Sequence, residues 1–200
     1  MKYSFYALMM ALSLISCENN DNIIDDPRPV DKEVYSFQFK SYTVKNTVLY
    51  KGSNGEKSTP DESYLNNYWS MYQEPAWEKI TLDLKNKTIK LLSETSTTDF
   101  TYSFTIVNDS VLIKENNNNK PSYIGDFNKN TSLFTLKRTY RYVKKVPRND
   151  HDALFITKSA HFGTTQYENI FGNIFTTPSE MIKTGDQVLW TNIEYSYKEL

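Results

Sequence analysis

The chain has one cysteine, six glycines and two histidines among its 200 residues, and each shortage excludes a class of chemistry. A single cysteine, Cys17, cannot form an intramolecular disulfide, even in an oxidising compartment. Six glycines leave little material for the glycine-rich loops that cradle phosphate groups. The histidines, His151 and His161, lack the HExxH spacing of zinc proteases. We therefore predict neither a nucleotide-phosphate loop nor a zinc site of that kind.

Other catalytic and metal-binding motifs are also missing. The sequence contains no Gly-x-Ser-x-Gly elbow and no Ser-x-x-Lys motif. Asp126, Asn128 and Asn130 imitate the first ligands of an EF-hand loop. However, Thr131 replaces the glycine of that loop and Lys137 replaces its bidentate glutamate, which favours a simple hairpin turn. We predict a protein that is not an enzyme, with no catalytic residues, no bound metal and no cofactor.

Neither sign of charge dominates the chain. It has 23 basic and 24 acidic residues, for a formal net charge of −1. Domains that bind nucleic acid carry a basic patch or stripe, because the phosphate backbone supplies much of the affinity. The balanced composition therefore predicts no nucleic-acid partner.

The first sixteen residues have the parts of a bacterial leader peptide. Lys2 supplies a positive start, and an apolar run follows from residue 3 to residue 15. A helix needs about 20 apolar residues to cross a bilayer, so this shorter run is typical of a signal peptide. Residues 14–17, Leu-Ile-Ser-Cys, resemble the lipobox of bacterial lipoproteins. The resemblance implies that residues 1–16 are removed and that acyl chains such as palmitate on Cys17 anchor the mature chain to a membrane.

Residues 17–32 are predicted to form an acidic linker between the membrane and the folded domain. After the cysteine, four acidic residues are interleaved with asparagines, and no basic residue occurs before Arg28. This composition resembles the signal with which some Gram-negative bacteria send lipoproteins to the cell surface. The resemblance implies a lipid-anchored outer-membrane protein that faces the cell surface, and a periplasm-facing anchor is the alternative. A solvated tether explains the same composition without any signal.

Residues 33–200 are predicted to form a single all-β domain. Beyond the leader the chain has three alanines but 20 threonines, 19 asparagines and 26 aromatic residues. Threonine and aromatic side chains suit strands, and asparagine suits turns. Alternation of apolar and polar residues with period two predicts each strand. The predicted strands lie near residues 35–50, 80–84, 89–91, 100–106, 111–113, 123–127, 133–143, 154–156 and 188–197, with turns at 85–87, 108–109 and 128–130.

Two segments depart from the strand pattern. Residues 59–62, Thr-Pro-Asp-Glu, match a helix-capping box with Thr59 as the cap. An apolar stripe with helical spacing follows, formed by Leu65, Tyr68, Trp69 and Tyr72. We therefore predict one short helix near residues 60–73. A similar Thr-Pro-Ser-Glu sequence at residues 177–180 predicts a shorter turn of helix near 178–183.

The predicted strands form an antiparallel up-and-down meander with one covering helix. This arrangement resembles the lipocalin-like barrel, a fold often found on bacterial lipoproteins, and the resemblance implies a closed barrel. A two-sheet β-sandwich is the alternative. Two features depart from the barrel pattern. No tryptophan follows a glycine by two residues, as in the first strand of true lipocalins, and residues 145–186 are irregular.

The densest group of aromatic residues lies in residues 64–77. Aromatic rings stack on sugar faces and line apolar pockets. Our candidate ligand-binding residues are therefore Tyr68, Trp69, Tyr72 and Trp77. Their helical spacing is also what core packing demands. The alternative is that these rings belong to the hydrophobic core and contact no ligand.

Three functional hypotheses remain open at this point. The first is a non-enzymatic, membrane-anchored envelope lipoprotein that binds a small apolar or glycan ligand. The second is a protein-interaction or inhibitor subunit of a cell-surface complex. The third, a glycan hydrolase, requires two facing carboxylates in a cleft. A long apolar cavity would favour the first hypothesis, and a filled barrel with an exposed aromatic patch would favour the second.

Overall fold

The computed structural model describes residues 32–93, 99–114, 121–163, 171 and 173–200. The predicted leader, Cys17 and the predicted linker up to residue 31 lie outside these residues. The described part contains ten strands, which all pair antiparallel. They are β1 (Val34–Lys51), β2 (Glu56–Ser58), β3 (Lys79–Asp83), β4 (Thr88–Leu92), β5 (Phe100–Val107), β6 (Ser110–Lys114), β7 (Ser122–Asn128), β8 (Leu133–Lys145), β9 (Phe155–Phe162) and β10 (Gln187–Glu199). The sequence predicts every one of them except β2, whose three residues are all exposed and show no alternation.

Eight of these strands close into a barrel. Neighbours pair in the order β1, β3, β4, β5, β6, β7, β8 and β10, and β10 pairs again with β1. Closure satisfies the backbone hydrogen bonds of every strand and leaves no open edge on the barrel itself. The predicted up-and-down barrel is confirmed, and the alternative of a two-sheet sandwich is wrong.

Three strands are longer than the barrel and continue beyond it. β1 has 18 residues and β8 and β10 have 13 each, whereas β3, β4 and β6 have five. β3 pairs with residues 34–38 of β1, and β7 pairs with residues 133–136 of β8. Further along, β1 pairs with β2 and β8 pairs with β9. The strands β2, β1, β10, β8 and β9 therefore form a five-stranded extension at one mouth of the barrel.

Two hydrophobic cores follow from this arrangement. The first fills the barrel and includes Phe37, Leu82, Ile89, Ile113, Phe134 and Tyr197. It continues onto the inner face of the extension through Leu49, Tyr140, Tyr142 and Leu189. The second core contains Tyr50, Val143, Phe175, Met181, Val188 and Trp190. Adjacent residues of a strand point to opposite faces, so Leu49 and Tyr50 show that the two cores lie on opposite faces of the extension.

Helices contribute little to the described residues, and none of them has the length and hydropathy to cross a bilayer. The helix predicted near residues 60–73 is present but is a shorter 3-10 helix, Glu62–Asn67. Its cap is Asp61, whose carboxylate accepts a 3.2 Å hydrogen bond from the backbone N–H of Tyr64. The prediction of Thr59 as the cap is wrong, because the helix begins later and aspartate is the stronger capping residue.

The helix ends early because of the residues in its last turn. Asn66 and Asn67 compete for backbone hydrogen bonds and favour turns over a longer helix. The chain then continues through turns to Pro75. The second predicted turn of helix is confirmed as a 3-10 helix at Pro178–Glu180, with the proline in the first turn.

Local backbone conformation explains one tight turn and one close approach between strands in the barrel. Asn108 and Asp109 have φ angles of 48° and 67°, which suit a tight hairpin turn and confirm the turn predicted between β5 and β6. Gly125 lies in β7 beside a bulge in the pairing with β6. A Cβ at this position would lie 1.9 Å from the carbonyl oxygen of Thr135 in β8. Only glycine allows these two strands to approach each other so closely.

Candidate functional site

A cavity of about 440 Å³ opens where the extension meets the mouth of the barrel. One wall is formed by the segment that follows the first 3-10 helix, residues 68–77, which we call the aromatic segment. The opposite wall is β8, which contributes Arg138 and Tyr140. Cavities that hold small ligands typically measure about 300–1,000 Å³. The cavity therefore has the size of a small-molecule site.

Three of the four candidate residues line this cavity. Tyr68, Trp69 and Tyr72 contribute to the wall, whereas Trp77 lies beside it and contacts the lining residue Arg138. The same rings pack against the first core: Tyr72 is only 1% exposed, and the other three are partly buried. The two interpretations of the aromatic group are therefore compatible. Tyr68 and Trp69 pack against the core and remain partly exposed beside the cavity, whereas Tyr72 lines the cavity but is almost wholly buried.

Tyr72 anchors the aromatic segment to the barrel mouth. Its hydroxyl donates to the carboxylate of Glu62 at 3.2 Å, and Tyr42 donates to the same carboxylate at 2.9 Å. The carbonyl of Tyr72 accepts a 2.6 Å hydrogen bond from the hydroxyl of Tyr195, and that hydroxyl lies 2.8 Å from the hydroxyl of Tyr140. Burial raises the pKa of Tyr195, so its hydroxyl stays protonated and remains a donor.

Tyr68 and Trp69 form the aromatic wall itself. The ring centroids of Tyr68 and Tyr142 are 4.7 Å apart, and the ring of Trp69 meets the ring of Tyr140 edge-on at 5.6 Å. The hydroxyl of Tyr68 accepts a hydrogen bond from the side-chain amide of Gln187. Burial is the main cause that raises the pKa of Tyr68. These contacts fix the orientation of both rings before any ligand arrives.

Arg138 places a positive charge among the rings. Its guanidinium carbon lies 5.1 Å from the ring centroid of Trp77, 5.5 Å from that of Tyr140 and 6.0 Å from that of Phe162. Attraction between a cation and ring faces offsets part of the cost of removing the cation from water. Among the described residues, no carboxylate forms an ion pair with Arg138, and its buried Nε has no hydrogen-bond partner.

Sequence reasoning missed Arg138, although a signal for it was present. Phe134, Leu136, Tyr140 and Tyr142 alternate along β8 and belong to the first core. Arg138 occupies the same alternating register and therefore lies on the same inward face. A charged residue in the middle of an inward-facing apolar register is costly unless its charge is compensated, and it therefore marks a candidate functional position. The pattern of apolar positions along the strand does not by itself identify this residue.

The acidic residues around the cavity are few. Glu74 is exposed and is the single carboxylate among the described residues that line it. A glycoside hydrolase needs a pair of carboxylates that flank the bond to be cleaved. No such pair lines this cavity within the described part of the chain. Those residues also contain no cluster of three or more histidine, cysteine or acidic side chains that could hold a metal ion.

The residues that imitate an EF-hand loop have structural roles. The ammonium of Lys137 lies 2.7 Å from the carboxylate of Asp126, and the hydroxyl of Tyr123 donates to that carboxylate at 2.8 Å. Burial opposes the ionisation of Asp126, but these hydrogen bonds outweigh it and lower the pKa. The side chain of Asn128 accepts a hydrogen bond from the backbone N–H of Thr131 at 3.0 Å. The predicted hairpin turn is confirmed.

Known proteins do not suggest a function for this cavity. No protein-family model, curated protein or solved structure matches the chain. The functional argument therefore depends on the geometry and chemistry of the cavity.

Proposed function

We propose that this chain is a lipid-anchored lipoprotein of the Gram-negative outer membrane, facing the cell surface, and that it binds a small apolar or glycan ligand without catalysis. The binding site is the cavity between the aromatic segment and β8. One observation carries the proposal: Tyr68, Trp69 and Tyr72 line a cavity of about 440 Å³ beside β8, where the rings of Tyr68 and Trp69 remain partly exposed. Ring faces of this kind hold sugars and apolar groups.

The way the walls are supported favours a binding site over a packing defect. The hydrogen bonds that link Tyr72 to Tyr195 and Tyr195 to Tyr140 hold the aromatic segment at a set distance from β8. A site with prearranged walls loses less conformational entropy when a ligand binds, and this increases affinity. The presence of Glu74 as a single lining carboxylate favours binding without hydrolysis.

The membrane anchor can be tested separately from the ligand. Cells labelled with a palmitate analogue should incorporate it into the wild-type chain and not into Cys17→Ala, because the thiol is the acylated group. Protease added to intact cells should digest the wild-type domain. Label that persists in the variant would contradict lipidation. Protection of the domain in cells with an intact outer membrane would show that it faces the periplasm.

The ligand can be sought without knowing its identity. The lipidated protein is extracted from its host membrane in mild detergent and examined by native mass spectrometry. We expect a bound small molecule on the wild type that is lost in Ala76→Phe, because Ala76 lines the cavity and a ring there would fill it. The matched control is Ala153→Phe at another exposed alanine, which should keep the ligand. A bound molecule that is retained by both variants would place the binding site elsewhere.

A second candidate function is supported by a different surface. Leu154, Phe155 and Ile156 are 52%, 41% and 50% exposed at the start of β9. Exposed apolar groups on adjacent positions favour contact with another protein. In addition, the interior of the barrel is filled by side chains such as Phe37 and Phe134. This surface favours the role of an interaction or inhibitor subunit of a cell-surface complex, and Phe155→Ser should then abolish co-purification of the partner without affecting the cavity.

A further inference from the structure

We infer that the ligand carries a carboxylate that pairs with Arg138, so that the cavity selects small organic monoacids with an apolar or sugar body. This inference rests on the proposed function, because it assigns the chemistry of the same cavity. It follows from the position of the guanidinium, from its missing partner and from the composition of the cavity walls.

Arg138 lies where its side chain can contact a ligand in the cavity. The residue lies on the inward face of β8, at the junction of barrel and extension, and it lines the cavity. The rings of Trp77, Tyr140 and Phe162 surround its guanidinium at 5.1–6.0 Å. These rings can attract the positive charge, but they do not accept its N–H groups in the plane of the guanidinium.

Within the described part of the chain, Arg138 also lacks an acidic partner. A guanidinium has five N–H donors, and a buried donor without an acceptor is costly. Arg148, elsewhere in the chain, shows how the donors of a guanidinium can be paired with a carboxylate. Its two terminal nitrogens donate to the two carboxylate oxygens of Asp186, at 3.0 Å and 2.6 Å. Among the described residues no acid does this for Arg138. Because Arg138 lines the cavity, an acceptor for its terminal nitrogens can approach from there.

The chemistry of the cavity favours a carboxylate over a phosphate as the anion that pairs with Arg138. The planar fork of a guanidinium matches a carboxylate, which can accept two parallel hydrogen bonds. Within the described lining, Arg138 is the single cation, and the exposed acid Glu74 lies at the same cavity. One positive charge beside one negative charge suits a monoanion better than a doubly charged phosphate. The rings of Trp69 and Tyr140 can then hold the body of the ligand.

Paired probes test this inference with the lipidated full-length protein in lipid nanodiscs. The first pair is decanoate and its methyl ester, and the second is phenyl β-D-glucuronide and phenyl β-D-glucoside. Each pair differs in the acid group while keeping a similar body, and empty nanodiscs correct for partitioning into lipid. We expect the acid of one pair to bind at least about tenfold more tightly than its neutral partner, as charge-assisted hydrogen bonds require. The responding pair identifies the body as aliphatic or as a sugar.

Two substitutions assign the effect to the guanidinium. Arg138→Met should remove the preference for the acid, so that the acid and its neutral partner bind with similar affinity. Arg141→Met is the matched control, because it removes the same charge from the opposite face of β8. If Arg138→Met does not fold, Glu74→Gln gives an independent measurement at an exposed position. It should strengthen the binding of the acid relative to that of its neutral partner at low ionic strength.

The possible results separate this inference from the function on which it rests. Equal affinity for the acid and its neutral partner would overturn the inference and leave the proposed function standing. Failure of all four probes to bind would count against both. An acid preference that Arg138→Met retains would also overturn the inference, and so would an acid affinity that does not respond to Glu74→Gln.

Discussion

The barrel and the extension share three long strands, yet their inner faces have different compositions. In the barrel, β3 and β4 contribute fully buried aliphatic side chains, namely Ile80, Leu82, Ile89 and Leu91. On β8 the inward residues change from Phe134 and Leu136 in the barrel to Arg138, Tyr140 and Tyr142 in the extension. Close packing of aliphatic side chains and phenylalanine rings stabilises a fold but recognises little, whereas rings with polar groups beside a cavity can orient a ligand. We propose that the barrel provides stability and that the junction provides the binding surface.

The largest expected effect tests the barrel half of this comparison. Phe134 is fully buried in the first core, and Phe134→Ala should lower the free energy of unfolding by about 3–5 kcal/mol because it leaves a cavity in closely packed surroundings. Urea unfolding measures the loss. The matched control is Phe100→Ala, because Phe100 is 41% exposed on the barrel surface and should cost clearly less. Equal losses for both variants would show that the barrel is not packed as described.

The second prediction tests how far the ion pair and hydrogen bonds of Asp186 stabilise the far end of the extension. The side chain of Asp186 is 0% exposed and binds Arg148, and it also accepts hydrogen bonds from the backbone N–H groups of Val146 and Lys183. Asp186→Asn should cost about 2–3 kcal/mol, because hydrogen bonds to a charged group are lost. The matched control is Asp152→Asn, at an exposed aspartate that accepts a single hydrogen bond from the Arg148 backbone, and it should cost little.

The same aspartate gives a pH dependence with a definite sign. Burial opposes the ionisation of Asp186, but the Arg148 guanidinium and the two backbone donors outweigh it and lower the pKa. A carboxyl whose pKa is lowered by folding stabilises the protein fully above about pH 4, and this contribution is lost as the pH falls through the folded-state value. The difference in unfolding free energy between wild type and Asp186→Asn should therefore shrink below about pH 4. A difference that grows in acid would contradict the ion pair.

Much of the fold could be predicted from the sequence because period-two alternation of apolar and polar residues is visible in most strands of the barrel. The extension could not be predicted in the same way. β1 has register shifts between Phe39 and Ser41 and between Val44 and Asn46. Each bulge reverses which residues face inward. Between the two shifts, Tyr42 and Val44 therefore pack against the first core from even-numbered positions. Phe37 before the shifts and Leu49 after them do so from odd-numbered positions, although the sequence shows one continuous strand.

Only the part of the candidate site that lies in one short segment could be predicted from the sequence. A local pattern of rings identified Tyr68, Trp69 and Tyr72, because they are close together in the chain. Arg138 lies more than sixty residues away along the chain, and only the closed barrel brings β8 opposite the aromatic segment. Sequence alternation could have marked Arg138 as inward-facing. It could not have shown that the residue faces these particular rings.

The smallest expected effect tests the start of the first 3-10 helix, which leads into the aromatic segment. Asp61→Ala removes the side-chain acceptor for the backbone N–H of Tyr64 and should cost about 1 kcal/mol. Thr59→Ala, at the position that the sequence had suggested as the cap, should change the stability by less than about 0.5 kcal/mol. Thermal or urea unfolding compares the two variants. The reverse order would mean that Thr59 caps the helix after all.

The most direct test of the division between a stabilising barrel and a binding junction is urea unfolding of Trp69→Ala. Trp69 is partly buried and shares its ring between the first core and the cavity. Partial burial of such a large side chain contributes about 2 kcal/mol, so the loss should exceed that of Asp61→Ala and stay below that of Phe134→Ala. A loss as large as that of Phe134→Ala would show that the ring is simply a core residue. The aromatic segment would then be part of the stabilising core, and the central claim would be wrong.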